Sequence, residues 1–219
     1  MCIRDSSHTH DGPQPYHEYP HDPQFAKASP GKIGMWLFLA TDGMSFSGFL
    51  ISYAVLRWTR AWPNPAEALG GVELSGFMTF LLICSSVSMV LAIDACKQKN
   101  RQAMLRWLAA TIFGGVAFLS IQAYEYWHLH HAMGMSFNSY AHGDPLFAST
   151  FFSITGFHGL HVLSGVIYLI TMFVHAYRGD FDNGDYNQLE IAGLFWHFVD
   201  LVWILVSVSY THLTLPTKA

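Results

Sequence analysis

Five long apolar runs, separated by short polar stretches, divide the chain. They cover about 33–56, 74–95, 105–126, 146–177 and 191 onward. A helix crosses a bilayer with about 20 mostly apolar residues, and each run meets that length, so the pattern predicts five transmembrane helices. The first is interrupted by Asp42, the second carries no charge before Asp94, and the third has Glu125 near its end. From Pro145 to Tyr177 there is no Lys, Arg, Asp or Glu at all. That run exceeds a single crossing, so its helix must tilt or protrude. The predicted fold class is an all-α membrane protein, a five-transmembrane-helix bundle.

Before the first run, residues 1–31 form a polar tail rich in His and Pro, read as extended and water-exposed. Its histidines (His8, His10, His17, His21) are irregularly spaced, unlike a built metal site. Residues 1–6 and 208–219 resemble translated sequencing-adapter read-through and are set aside from functional argument, as a fusion scar would be. The membrane domain is then 32–207, the natural C-terminus is expected to lie elsewhere, and the first apolar run itself is expected to direct insertion.

Composition narrows the class. The chain is 52% hydrophobic and 12% charged, with mean hydropathy +0.26, whereas an ordinary soluble domain is about 25% charged. A single soluble core of this size could not hide that much apolar surface. Net charge is −4, and no basic patch of the kind nucleic acid requires is present in the sequence, so no nucleic-acid partner is expected. Cys2, Cys84 and Cys96 follow no ligand or disulfide spacing. Lys and Arg set the orientation. The side holding the tail and the second–third and fourth–fifth loops carries Lys27, Lys32, Lys97, Lys99, Arg101, Arg106 and Arg178. The other side carries Arg57 and Arg60. The positive-inside rule therefore predicts a cytoplasmic N-terminus. The segment from Trp127 to Pro145, rich in His and aromatics, reads as an outer interfacial loop.

The polar residues within the apolar runs are the candidate chemistry, because a polar side chain in hydrocarbon needs a partner or a function. Asp42 lies about 15 Å along the first helix, near mid-bilayer. Two readings stay open for it: a neutral acid hydrogen-bonded to a neighbouring helix, or a proton- or lipid-linked site. Glu125, beside Tyr124, Tyr126 and Trp127, reads as part of an interfacial belt. His158 and His161 share one helical face, and His197 and Asp200 are similarly spaced in the last helix. These imidazoles suit either a haem or copper ion or hydrogen bonding between helices and to lipid. A haem–copper catalytic centre needs histidines on more helices than this chain offers. Small residues recur at Gly34, Thr41 and Gly48, at Ser85, Ser86 and Ser88, at Gly114 and Gly115, and at Gly156, Gly159 and Gly165, where helices can approach closely.

In order along the chain, Gly34-Met35-Trp36-Leu37-Phe38-Leu39-Ala40-Thr41-Asp42, Asn100-Arg101-Gln102 and Gln122-Ala123-Tyr124-Glu125-Tyr126 are followed by three further motifs. These are Ser149-Thr150-Phe151-Phe152, then Thr155-Gly156-Phe157-His158-Gly159-Leu160-His161-Val162, then Trp196-His197-Phe198-Val199-Asp200-Leu201-Val202-Trp203. Together they resemble subunit III of the haem–copper terminal oxidases, in its five-helix bacterial form, from Gly31 to about Val206. The resemblance implies an accessory subunit with no redox centre and no cofactor of its own except bound phospholipid. Haem and copper would reside in partner subunits I and II, in a bacterial plasma membrane. Asp42, Glu125, His158, His161, His197 and Asp200 would then serve lipid binding, proton-antenna or interhelical duties. Many cytochrome c oxidase members have Glu where this chain has Asp42, whereas quinol oxidase members often have Asp. A quinol oxidase subunit, and a separate haem- or metal-binding electron carrier, are the alternative readings.

Overall fold

The computed structural model describes residues 29–59, 73–140, 143–182 and 186–211. The tail histidines and both suspect ends, apart from residues 208–211, lie outside them. Five helices are long and apolar enough to cross a membrane: α1 (Pro30–Thr59), α2 (Glu73–Lys97), α3 (Arg101–Met133), α4 (Pro145–Arg178) and α5 (Asn187–Thr211). A two-stranded hairpin, β1 (Met135–Ser136) and β2 (Ser139–Tyr140), pairs antiparallel with Met135 opposite Tyr140.

Local chemistry explains where the helices stop. Lys99 adopts a left-handed φ of 57°. Its N–H reaches the Cys96 carbonyl, and that of Asn100 reaches Ala95, which together close α2 as a Schellman motif. Asn100 then caps α3 by accepting from the Ala103 N–H at 3.2 Å. Asp144 does the same for α4 through Leu146 at 3.0 Å, with Pro145 at the first helical position. Gly179, at φ 94°, ends α4.

One boundary differs from the sequence reading. The stretch from Trp127 to Met133 continues α3 rather than forming a loop, because nothing in it breaks a helix until Gly134 supplies the left-handed cap at φ 59°. The hairpin follows directly, and Ser149 Oγ donates to the Phe137 carbonyl at 2.6 Å. At the other end of the chain, α5 continues through residues 208–211. There Tyr210 is buried and packs its ring 4.6 Å from Tyr53 and 5.5 Å from Phe151.

α2 and α3 form an antiparallel pair, α4 packs on α3, and α5 closes the bundle against α2 and α4. α1 rests on α5 and α4 from outside. Burial follows that order: 50% of the apolar span of α5 is enclosed, against 22% for α1. Small residues bring the inner helices together. A Cβ on Gly115 would stand 2.6 Å from both Trp196 and Val166, and one on Gly114 would stand 2.7 Å from Ser85. Gly34 and Gly48, predicted as packing positions, meet nothing within 4 Å. Thr41 turns its hydroxyl back onto the Phe38 carbonyl at 2.8 Å. These three lie on the peripheral helix, where close approach has no partner.

Polar contacts tie α2 to α5 along their length. Trp196 Nε1 donates to Ser85 Oγ at 3.2 Å, Trp203 Nε1 to Thr79 Oγ1 at 3.1 Å, and Ser75 and Ser207 share a bond of 2.9 Å. At the α1 N-terminal end, Glu190 of α5 pairs with both Lys32 of α1 and Lys97 of α2, the latter at 3.0 Å. Lys97 Nζ also lies 4.5 Å above the Tyr186 ring. Arg101 reaches Asp182 and the Tyr177 carbonyl. Such partly exposed pairs contribute about 0–1 kcal/mol each, so they align helix ends more than they hold the bundle.

Gly115→Ala should therefore lower the unfolding free energy by about 1–3 kcal/mol, read by thermal or denaturant unfolding in detergent. Gly34→Ala should leave it within about 0.5 kcal/mol.

Candidate functional site

α1 and α4 meet where Asp42 faces His161, with Oδ1 3.2 Å from Nε2. His161 Nδ1 lies 2.8 Å from the Phe157 carbonyl one turn back in its own helix. A carbonyl can only accept, so Nδ1 carries a proton. The Nε2–Oδ1 contact must then hold a second one. Either a carboxylic acid donates to a neutral imidazole, or an imidazolium donates to a carboxylate. Both arrangements are neutral overall, which suits burial far better than a lone charge. Asp42 and His161 thus form a proton-holding pair, and the interhelical bond expected of Asp42 is made by a residue from the same candidate set.

Phe46, one turn along α1 from Asp42, packs its ring against Phe157 (4.9 Å), His161 (5.3 Å), His158 (6.3 Å) and Phe198 (6.5 Å). His158 is fully enclosed. Its ring lies 5.0 Å from Trp203 and 5.7 Å from Phe118, which meets it edge-on. Neither nitrogen has a hydrogen-bond partner among the described residues, and neither has Asp42 Oδ2. The i, i+3 spacing did bring His158 and His161 to one face, but their surroundings differ.

His197 belongs to another contact. Its Nδ1 is 2.6 Å from Ser86 Oγ on α2, and Ser86 is also a side-chain partner of Asp200. The expected His197–Asp200 relation is therefore mediated by a serine from a neighbouring helix. The three histidines do not converge: among the described residues, no three His, Cys, Asp or Glu side chains gather as a metal-binding group. Glu125 stands half-buried on α3, two turns before its end. Exposed Tyr124 and Trp127 flank it, and Tyr124 stacks on His128 with ring centres 6.3 Å apart. Aromatic rings of this kind favour the membrane–water interface.

A further cluster joins Tyr126, read from the sequence as part of the interfacial belt, to Gln122 and Thr155. Gln122 Nε2 donates to the Thr155 carbonyl at 2.7 Å, and Tyr126 Oη lies 2.7 Å from Thr155 Oγ1. Gly159 leaves the room: a Cβ there would stand 2.8 Å from the Gln122 amide. The available signal was the pair Gln122 and Tyr126, four residues apart and so on one face of α3.

The Asp42–His161 contact should appear as a coupling energy of about 1 kcal/mol in a double-mutant cycle of Asp42→Ala and His161→Ala, read by unfolding in detergent. The equivalent cycle between Asp42 and His197 should give about zero.

Comparison with known proteins bears on what holds this site. The family model described as cytochrome c oxidase subunit III matches residues 21–213. The chain is 33% identical over 174 residues to cytochrome c oxidase subunit 3 of Alkalihalophilus pseudofirmus, covering 80% of this chain and 82% of that one. It is 33% identical over 178 residues to the protein of the same name from Synechocystis sp., covering 80% and 72%. It is 35% identical over 185 residues to that of Equus caballus, covering 81% and 67%. With a match running from ahead of α1 through α5, and five spans in a single bundle, the chain belongs to the cytochrome c oxidase subunit III family.

Proposed function

We propose that this chain is the accessory, redox-inactive subunit III of a bacterial cytochrome c oxidase. It packs beside subunits I and II in the plasma membrane, with its N-terminus in the cytoplasm. Haem and copper reside in those partners, and the complex passes electrons from cytochrome c to oxygen while translocating protons. The chain's own contribution is to stabilise the catalytic subunit, bind phospholipid and support proton uptake. The observation that carries this reading is how its histidines are occupied. His161 engages Asp42, His197 engages Ser86, and His158 is walled in by aromatic rings. Among the described residues, that leaves no imidazole set aimed at a shared ion. Within this role, the Asp42–His161 pair is the proton-antenna candidate, because it holds a proton in either arrangement. Glu125 serves at headgroup level beside its aromatic belt. His158, His197 and Asp200 act between helices.

Asp at position 42 favours a second reading, the same role in a quinol oxidase, since members of that group often carry Asp there. Affinity purification of the tagged chain from its native membrane distinguishes these. The expected result is co-purification of haem-bearing partners, one of them with a dinuclear copper domain, and turnover with reduced cytochrome c. Turnover with quinol alone would select the second reading. A Soret band that stays with the chain after dissociation from its partners would overturn both in favour of an electron carrier.

A further inference from the structure

His197 bonds through only one of its two ring nitrogens. Nδ1 meets Ser86 Oγ at 2.6 Å, while Nε2 has no partner among the described residues and is not enclosed. Ser86 also bonds the buried carboxyl of Asp200, whose Oδ1 has no partner. This arrangement decides which imidazole nitrogen carries a proton. Burial favours a trio without net charge. A buried donor left unpaired is rarer than an under-satisfied acceptor. The acid proton of Asp200 therefore belongs on Oδ2, where Ser86 accepts it, and not on Oδ1. Ser86 then has its own hydrogen to give to Nδ1, and Nε2 bears the imidazole proton. Passing the Asp200 proton through Ser86 to Nδ1 makes an imidazolium beside a carboxylate, and Nε2 is protonated again. In both states Nε2–H is a donor turned away from Ser86.

Lipid cannot answer that donor. His197 lies two turns, about 10 Å, beyond Glu190 along α5, and Glu190 with Lys32 and Lys97 marks the polar end of the helix. At such depth a bilayer offers chains and no oxygen atoms. His197 also belongs to an uncovered strip. Leu194, His197, Leu201 and Leu205 share one face of α5, and Leu201 and Leu205 are exposed. Both flanks of the strip are occupied. Phe195 and Phe198 pack on Phe38 and Phe46 of α1, and Trp196 and Trp203 bond Ser85 and Thr79 of α2. The strip thus runs between α1 and α2. Ile83 and Val90, about one turn either side of Ser86 on α2, are exposed beside it.

We propose that this strip seats a transmembrane helix of a partner subunit, and that His197 Nε2–H donates to a hydroxyl, amide or carbonyl oxygen on it. The inference rests on the oxidase-subunit reading and goes beyond it by naming the docking face and its polar contact. Leu201 and Leu205, one and two turns on, supply the apolar remainder. An apolar ridge alone would meet lipid as readily as protein, so the imidazole donor supplies the preference for a helix. Asp200 and Ser86 are positioning residues: they hold the proton on the outward nitrogen.

A photoreactive benzophenone side chain in place of Leu201, or in place of exposed Ile167 on α4, tests this in the intact complex in native membranes. Leu201 should cross-link to one helix of a haem-bearing subunit, with a yield several-fold above that from Ile167. Equal yields from the two positions overturn the docking face. So do cross-links from Leu201 to lipid alone or to a second copy of this chain, while haem-bearing partners still co-purify. Absence of those partners overturns the oxidase reading on which the face depends. Yields are then compared, per recovered complex, in two variants at position 197. His197→Gln keeps an N–H donor near Nε2 and should retain the Leu201 cross-link. His197→Phe keeps a ring without a donor and should lower it several-fold. Equal yields in these variants remove the hydrogen bond and with it the proposal. Solid-state NMR of ring-labelled histidine should show Nε2 of His197 protonated, and an unprotonated Nε2 overturns its assignment as donor.

Discussion

Hydrocarbon offers no hydrogen bonds, so every polar side chain within a bilayer must be answered by its own helix, by another helix or by enclosed water. In this bundle that constraint decides which helices lie beside which. Asp42 draws α1 to α4 through His161, and Ser86 draws α2 to α5 through His197. The two indoles of α5, Trp196 and Trp203, each end on a hydroxyl of α2. None of these bonds is strong, since interhelical hydrogen bonds in membranes contribute about 0.6 kcal/mol on average. Their weight lies in exclusion: a shifted register would leave several polar groups unanswered at once.

Close packing supplies what those bonds cannot. Lipid tails are as apolar as leucine, so helices gain little merely by burying leucine against each other. Contact is instead won where Gly114 and Gly115 let α3 sit directly against Ser85 and Trp196. The bulky indole of Trp196 fills the space that the absent side chain leaves, and it is almost wholly enclosed. α5 becomes the hub because it presents large rings to small residues on its neighbours. α1 lacks such partners and stays at the edge, tied by Asp42, Phe46 and Tyr53 and by the Lys32–Glu190 pair.

Much of the site was legible as a set of anomalies. Asp42, His158, His161, His197 and Asp200 stand out because charged and imidazole groups are costly in an apolar run, and helical spacing correctly placed His158 and His161 on one face. What each residue meets was hidden, since partners lie on other helices, with the residues of each pair far apart in sequence. Ser86 between His197 and Asp200 looked like a packing serine. Tyr126 read as part of the interfacial belt, and its link with Gln122 and Thr155 was hidden because polarity on separate helices carries no signal of contact until the third dimension joins them. The run after Trp127 was misread for a different reason: its histidines and aromatics signal an interface, yet they do not break a helix, and Gly134 does.

By itself, then, the sequence determined the number of crossings, their approximate limits and which residues had to be answered, because hydrophobic length and the cost of buried polarity act locally along the chain. The tertiary structure alone decided the pairings: Asp42 with His161, α5 at the centre and α1 at the rim, and His158 enclosed by Phe46, Phe118 and Trp203. Those outcomes follow from how rings and glycines on different helices fit together, and shape complementarity between distant segments leaves no mark in the order of residues along any one of them.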